Sequence, residues 1–266
     1  MAHLTWDVSP VLFSIGTFSV RWYGALFATG FYIALQVMNS IARRDRLQPR
    51  EFDSILMYVI AGTVLGARLG HVFFYEPDVF LQDPVRILKV WEGGLASHGG
   101  TLGVMLAVLL WKRRHYEGSF LSLLDYLAVP SAFVAGMIRL GNLFNSEILG
   151  RPSEVPWAII FKRVDEVPRH PAMLYEAFCY FGLFVFLLRQ VRAGVHRRMG
   201  EGYLLGVFFT GLFGARFVIE FLKEYQVPSE AALPLDLGQL LSVPFVASGL
   251  FLWWRATRRT NPAPKR

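Results

Sequence analysis

Cysteine is nearly absent: Cys179, inside the apolar run AFCYF, is the only one in 266 residues. No intrachain disulfide framework is possible, and the thiol reads as packing. Charge is scarce as well. Asp, Glu, Lys and Arg make up 18% of the chain, against about 25% in a soluble domain. No internal repeat or low-complexity segment stands out, and nothing marks off a separate soluble domain. Residues 1–266 therefore read as a single integral membrane domain. No second histidine or cysteine stands at metal-ligand spacing, so neither a metal nor another cofactor is expected. The N-terminal stretch has no basic start and no small-residue cleavage site after a short apolar core, so no cleavable signal peptide is expected.

Apolar residues are abundant: 54% of the chain, with mean hydropathy +0.39. A soluble domain holds about 45–50%, so part of the solvent here is lipid. Seven apolar segments run approximately over Phe18–Asn39, Ser54–Tyr75, His98–Trp111, Leu121–Leu140, Met173–Leu188, Tyr203–Phe221 and Leu237–Trp254. Most approach the ~20 residues a spanning helix needs; the third and fifth are short and must extend into their flanks. The runs are too long for strands and do not alternate. The fold class expected is all-α: a polytopic membrane protein with seven transmembrane helices.

Basic residues set its orientation. Sixteen fall on one side: Arg43, Arg44, Arg46 and Arg50; Lys112, Arg113 and Arg114; Arg189, Arg192, Arg197 and Arg198; then Arg255, Arg258, Arg259, Lys265 and Arg266. Seven fall on the other: Arg86, Lys89, Arg151, Lys162, Arg163, Arg169 and Lys223. The bias puts the N-terminus outside, in the periplasm, and the C-terminus in the cytoplasm. The net charge of +7 thus reflects topology and an anionic leaflet rather than a nucleic-acid partner. The longest connection, about Gly141–Pro171, lies on the outer side and is broken by prolines.

The remaining basic residues, Arg21, Arg68, Arg139 and Arg216, fall within or at the ends of spans. Each would cost about 2.5–3.5 kcal/mol at mid-membrane, so each must be paired, hydrated or near an interface. Arg21, beside Trp22 and Tyr23, reads as snorkelling or as glue between helices. Arg68 either snorkels or lines a cavity. It shares its span with Gly62, Gly66 and Gly70, whose spacing reads as helix packing. Glu220 follows Arg216 by four residues; the two form either a structural pair or an anion site. In GMIRLGNLFNSEILGR (residues 136–151), Asn142 and Asn145 share a helical face with Arg139, and Glu147 and Gly150 follow. A guanidinium fork among amides suits a phosphate. In WEGGLASHGGTLG (residues 91–103), His98 sits among glycines. It either makes an ordinary hydrogen bond or exchanges a proton near neutral pH. By the charge-derived topology all of these lie on the outer side, which predicts a polar, anion-binding cavity open to the outer leaflet.

The stretches FSIGTFSVRWYG, GARLGHVFFY, WEGGLASHGG, RLGNLFNSEILGR, RHPAMLYEA and GARFVIEF, in that order, make the chain resemble the bacterial prolipoprotein diacylglyceryl transferases along nearly its whole length. The resemblance implies an integral inner-membrane enzyme with seven spans. Such an enzyme moves the diacylglyceryl group of phosphatidylglycerol onto the lipobox cysteine of a prolipoprotein signal peptide, releasing glycerol phosphate. It implies head-group binding by Arg139, with Asn142, Asn145, Glu147 and Gly150 completing that signature. Arg216 and Glu220 match a second charged pair, His98 the histidine of the glycine-rich motif, and Tyr23 the tyrosine after the first tryptophan. One departure is visible: Ala172 and Met173 stand where the family commonly has serine and glutamine before LYE. On this reading His98, Arg139 and Arg216 are the candidate catalytic residues. The arginines stabilise the leaving phosphate, while His98 either takes the thiol proton or positions substrate. The alternative is a phospholipid or anion transporter with an outward-facing arginine-lined site. It would fit the arginines, but neither a repeat nor a two-sided polar path supports it.

Overall fold

A computed structural model of the chain describes residues 3–16, 18–45, 47, 49–75, 83, 85, 87, 96–224 and 235–259. Eight helices dominate the described residues: α1 (Trp22–Arg44), α2 (Pro49–Tyr75), α3 (Ser97–His115), α4 (Phe120–Asn145), α5 (Ala172–Arg192), α6 (Val195–Arg198), α7 (Tyr203–Glu220) and α8 (Leu237–Arg258). Two compact units emerge, Met1–Met38 with Leu124–Arg266, and Asn39–Leu123.

Among the described residues, six helices are long and apolar enough to cross a membrane: α1, the Ser54–Phe74 part of α2, α4, α5, α7 and α8. Their apolar side chains face outward, as Phe74, Phe178, Val218 and Leu241 do, which suits a lipid surround. This is a multi-pass membrane protein. The segment expected as the third span does form a helix, α3. Every 18-residue stretch of α3, however, carries Lys112, Arg113 and Arg114, so it falls short of the same measure.

The all-α expectation misses five short strands in the larger unit. β1 (Leu4–Trp6) pairs in parallel with β4 (Ile159–Phe161), which pairs antiparallel with β5 (Pro168–Arg169). β2 (Val11–Ile15) and β3 (Phe18–Arg21) form a hairpin turning at Gly16, whose φ is +60°. The hairpin takes residues 18–21 out of the expected first span, because their backbone groups pair with β2 rather than along a helix. Strands of two to five residues are too short to show alternation in an apolar sequence. The small sheet closes over Leu143, Leu149, Ile159, Phe161 and Met173, with Trp6 and Leu174 packed against them. It thereby ties the connection between α4 and α5 to the end of α4.

In the smaller unit, α2 and α3 meet along a seam of glycines. A Cβ on Gly66 would run into the Gly99 carbonyl and the Gly103 backbone, and one on Gly103 would run into the Gly62 carbonyl. Gly62, Gly66 and Gly70 thus act as their spacing predicts, letting two backbones touch. In the larger unit, α7 is capped from α4. The Asp125 carboxylate accepts from the Gly202 and Leu205 N–H groups at 2.6 and 2.8 Å, satisfying two donors that a helix start leaves open.

Candidate active site

The arginine–asparagine cluster is helical up to Asn145, so Arg139 and Asn142 share one face of α4. The Arg139 Nη1 donates to Asn142 Oδ1 at 3.2 Å. Asn142 and Asn145 each donate a side-chain N–H to one oxygen of Glu147, at 3.1 and 3.2 Å. Glu147 is presented by an unusual backbone: Ser146 and Ile148 on either side are left-handed, with φ of 55° and 59°. Strain of this kind collects at functional sites. The Tyr23 ring, from the first turn of α1, lies against Gly141 so closely that a Cβ there would meet it at 2.7 Å. Tyr23 is also within electrostatic reach of Arg139 and Glu147. Gly150 sits between two backbones: its N–H donates to the His170 carbonyl at 2.9 Å, and it forms an antiparallel bridge with Lys223.

A second group stands beside it. Glu176, fully buried on α5, places one oxygen 2.9 Å from Arg139 Nε, an electrostatic contact rather than a well-aligned hydrogen bond. Its other oxygen receives Lys223 Nζ at 3.0 Å and the Tyr180 hydroxyl at 3.1 Å. Lys223 Nζ also reaches Glu220 Oε2 at 2.9 Å. Each of these carboxylates and the ammonium is at least nine-tenths buried, and burial on that scale demands pairing. The Glu220 carboxylate fills the place a Cβ would take at Gly238, the second residue of α8.

The structure therefore joins Arg139, Asn142, Asn145 and Glu147 in one network and Glu220 to the same network through Lys223 and Glu176. It does not pair Arg216 with Glu220. Among the described residues Arg216 makes no hydrogen bond or ion pair, because Glu220 turns to Lys223 instead. Its charge is still felt at Tyr180, which places it near the same network. Arg68 belongs to the smaller unit, buried, with its Nε donating to the Ile87 carbonyl at 3.0 Å. His98 lies on the first turn of α3 in that unit; its side chain is outside the described residues, as are residues 91–95 of its motif.

Two residues of this network are not marked by the local sequence pattern. In the sequence Lys223 stands only among the outer-side cations, and Glu176 is only the last residue of LYE. A signal for Lys223 existed: it follows Glu220 by three residues. Only the fold brings Glu176 to them.

Around this network the connection between α4 and α5 is fastened by further charges. Arg151 Nε donates to the Lys223 carbonyl at 2.9 Å. Arg169 bridges Asp165 and Glu224. The Arg169 guanidinium holds the Asp165 carboxyl below the ordinary carboxylate range, and Asp165 in turn raises Arg169.

The family model described as prolipoprotein diacylglyceryl transferase matches residues 10–255. The chain belongs to the prolipoprotein diacylglyceryl transferase family. Among its relatives is the phosphatidylglycerol–prolipoprotein diacylglyceryl transferase of Tolumonas auensis, 48% identical over 249 residues, or 94% of this chain and 96% of the relative. Proteins of the same name from Chloroherpeton thalassium and Porphyromonas gingivalis are each 45% identical, covering 98% of this chain and 97% and 96% of theirs. Members of this prolipoprotein diacylglyceryl transferase family are transferases, and the chain is an enzyme of that class.

Proposed function

We propose that the chain transfers the diacylglyceryl group of phosphatidylglycerol to the lipobox cysteine of a prolipoprotein signal peptide, the first step of lipoprotein maturation. Family membership over nearly the whole chain carries this reading and favours it over the transporter alternative. The thiolate is the nucleophile. Its sulfur attacks the glyceryl carbon bonded to the phosphate oxygen. A carbon–sulfur bond forms, the carbon–oxygen bond breaks, and glycerol phosphate leaves with the electron pair.

Charge thus develops on the departing phosphate. Arg139 and Arg216 are the groups to meet it, and such stabilisation is strongest where water is excluded. Arg216 suits this role because it is not tied to another protein group among the described residues. Tyr23, Asn142, Asn145, Glu147, Gly150 and Glu220 bind and shape the head-group site. His98 is the candidate to take the thiol proton, which at the free pKa near 8.5 still occupies most thiols at neutral pH.

The reading also places the enzyme in the bacterial inner membrane as one integral domain. α3 serves as the seventh span, the N-terminus and the site face the periplasm, and the C-terminus faces the cytoplasm. The asymmetry of basic residues supports this orientation. The test is direct. Purified protein, phosphatidylglycerol and a lipobox peptide are combined, and the peptide is weighed by mass spectrometry. A diacylglyceryl adduct on cysteine supports the reading; an unmodified peptide refutes it.

A further inference from the structure

We propose that Glu176 is a positioning residue for the transfer reaction, holding Arg139 by its Nε edge while Lys223 balances the charge. The inference rests on the reaction proposed above. An arginine fork has five N–H donors, and its usefulness to a phosphate depends on which edge is presented. In Arg139 the Nε edge faces Glu176 at 2.9 Å, and one Nη donates to Asn142. Both partners are protein groups, and among the described residues the rest of the fork has none. A guanidinium held on two sides has one plane and one free edge.

The holding group is itself fixed. Glu176 has no exposed surface, and its second oxygen is gripped by the Lys223 ammonium and the Tyr180 hydroxyl. Lys223 is fixed in turn by Glu220 and by backbone pairing of its own residue with Gly150. Glu176 touches no open face of the network, so its effect on substrate must pass through Arg139. A displacement of the order of 1 Å at a group that meets the transition state can lower a rate about a hundredfold.

The test uses the full chain in phosphatidylglycerol-containing detergent micelles with a lipobox peptide. Thermal stability, kcat and KM for the lipid are measured for Glu176→Gln, Lys223→Met and the double variant. Glu176→Gln is expected to lower kcat about a hundredfold while KM changes less than about fivefold. Lys223→Met keeps the Glu176 carboxylate beside Arg139 but releases its second oxygen, so its kcat falls less than that of Glu176→Gln. The double variant removes one buried charge of each sign. Its melting temperature returns close to that of the unaltered protein, while its kcat remains about a hundredfold down, which a purely structural role would not produce.

Recovery of both stability and kcat in the double variant would overturn the inference. So would a Lys223→Met protein as inactive as the double variant, a Glu176→Gln protein of undiminished kcat, or a charge-balanced variant that cannot fold. An unaltered protein that transfers nothing from phosphatidylglycerol sinks the proposed function, and this inference with it.

Discussion

The α2–α3 seam and the α4–α5–α7 network solve the same problem in opposite ways. Both bring helices together where apolar surroundings give little driving force for association. The seam does so by subtraction: Gly62, Gly66, Gly99 and Gly103 remove side chains until carbonyls and α-carbons touch. The network does so by addition, inserting Arg139, Glu176, Glu220 and Lys223 and pairing each buried charge. Shape alone suffices for adhesion. Buried ion pairs are poor adhesives, because desolvation consumes most of their attraction. Their presence here argues for chemistry, and Arg216, unpaired among the described residues, is where the proposed reaction brings its anion.

The sharpest way to break the comparison is to remove the charges meant for substrate. Arg139→Ala and Arg216→Ala should each reduce transfer at least about a hundredfold, the scale of losing one transition-state donor. The folded protein should still be recovered from membranes. A variant that folds and transfers at full rate would leave its arginine without the phosphate role.

Next in size is an assault on the seam. Gly66→Leu forces a side chain into the Gly99 and Gly103 backbones, and overpacking costs about 1–3 kcal/mol or more. Lower yield and a lower melting temperature in detergent check it. Gly238→Ala puts a methyl group where the Glu220 carboxylate lies. It is expected to impair transfer more than it lowers stability, which distinguishes the network from the seam. Asp125→Ala removes the acceptor of two N–H groups at the start of α7 and should lower stability by about 1–2 kcal/mol without altering KM.

How much of this was legible beforehand differs between the two regions. The seam was readable, because glycines four residues apart announce a face in one dimension. Segment positions were readable too, since hydropathy needs no partners: the expected Tyr203–Phe221 and Leu237–Trp254 compare with helices at Tyr203–Glu220 and Leu237–Arg258. The arginine cluster was visible as residue types, but its wiring was not. Glu220 stands four residues from Arg216 and three from Lys223, and helix spacing alone favours neither. α7 ends at Glu220, so the chain turns there and brings Lys223 back under it. Glu176 lies 37 residues from Arg139 and 47 from Lys223 in sequence, distances over which no local pattern reports. The strands hid for a related reason, since pairing β1 with β4 joins residues more than 150 positions apart.

The smallest effect lies outside the membrane-spanning helices, at Asp165 and Arg169. The folded carboxyl has a lowered pKa, so its contribution is fully present above the ordinary value near 3.9 and is lost as pH falls through the lowered value. The stability difference between the unaltered protein and Asp165→Asn should be under about 1 kcal/mol near pH 6 and should vanish on acidification. A difference that persists unchanged at the acid end would assign it to packing instead.

In the proposed reaction, guanidinium groups from α4 and α7 share one phospholipid phosphate. The measurement that tests this head-on is a cryo-EM structure of the protein with phosphatidylglycerol bound. Phosphate oxygens are expected within hydrogen-bonding distance of both Arg139 and Arg216. A lipid phosphate held by only one of them, or bound away from both, would contradict it.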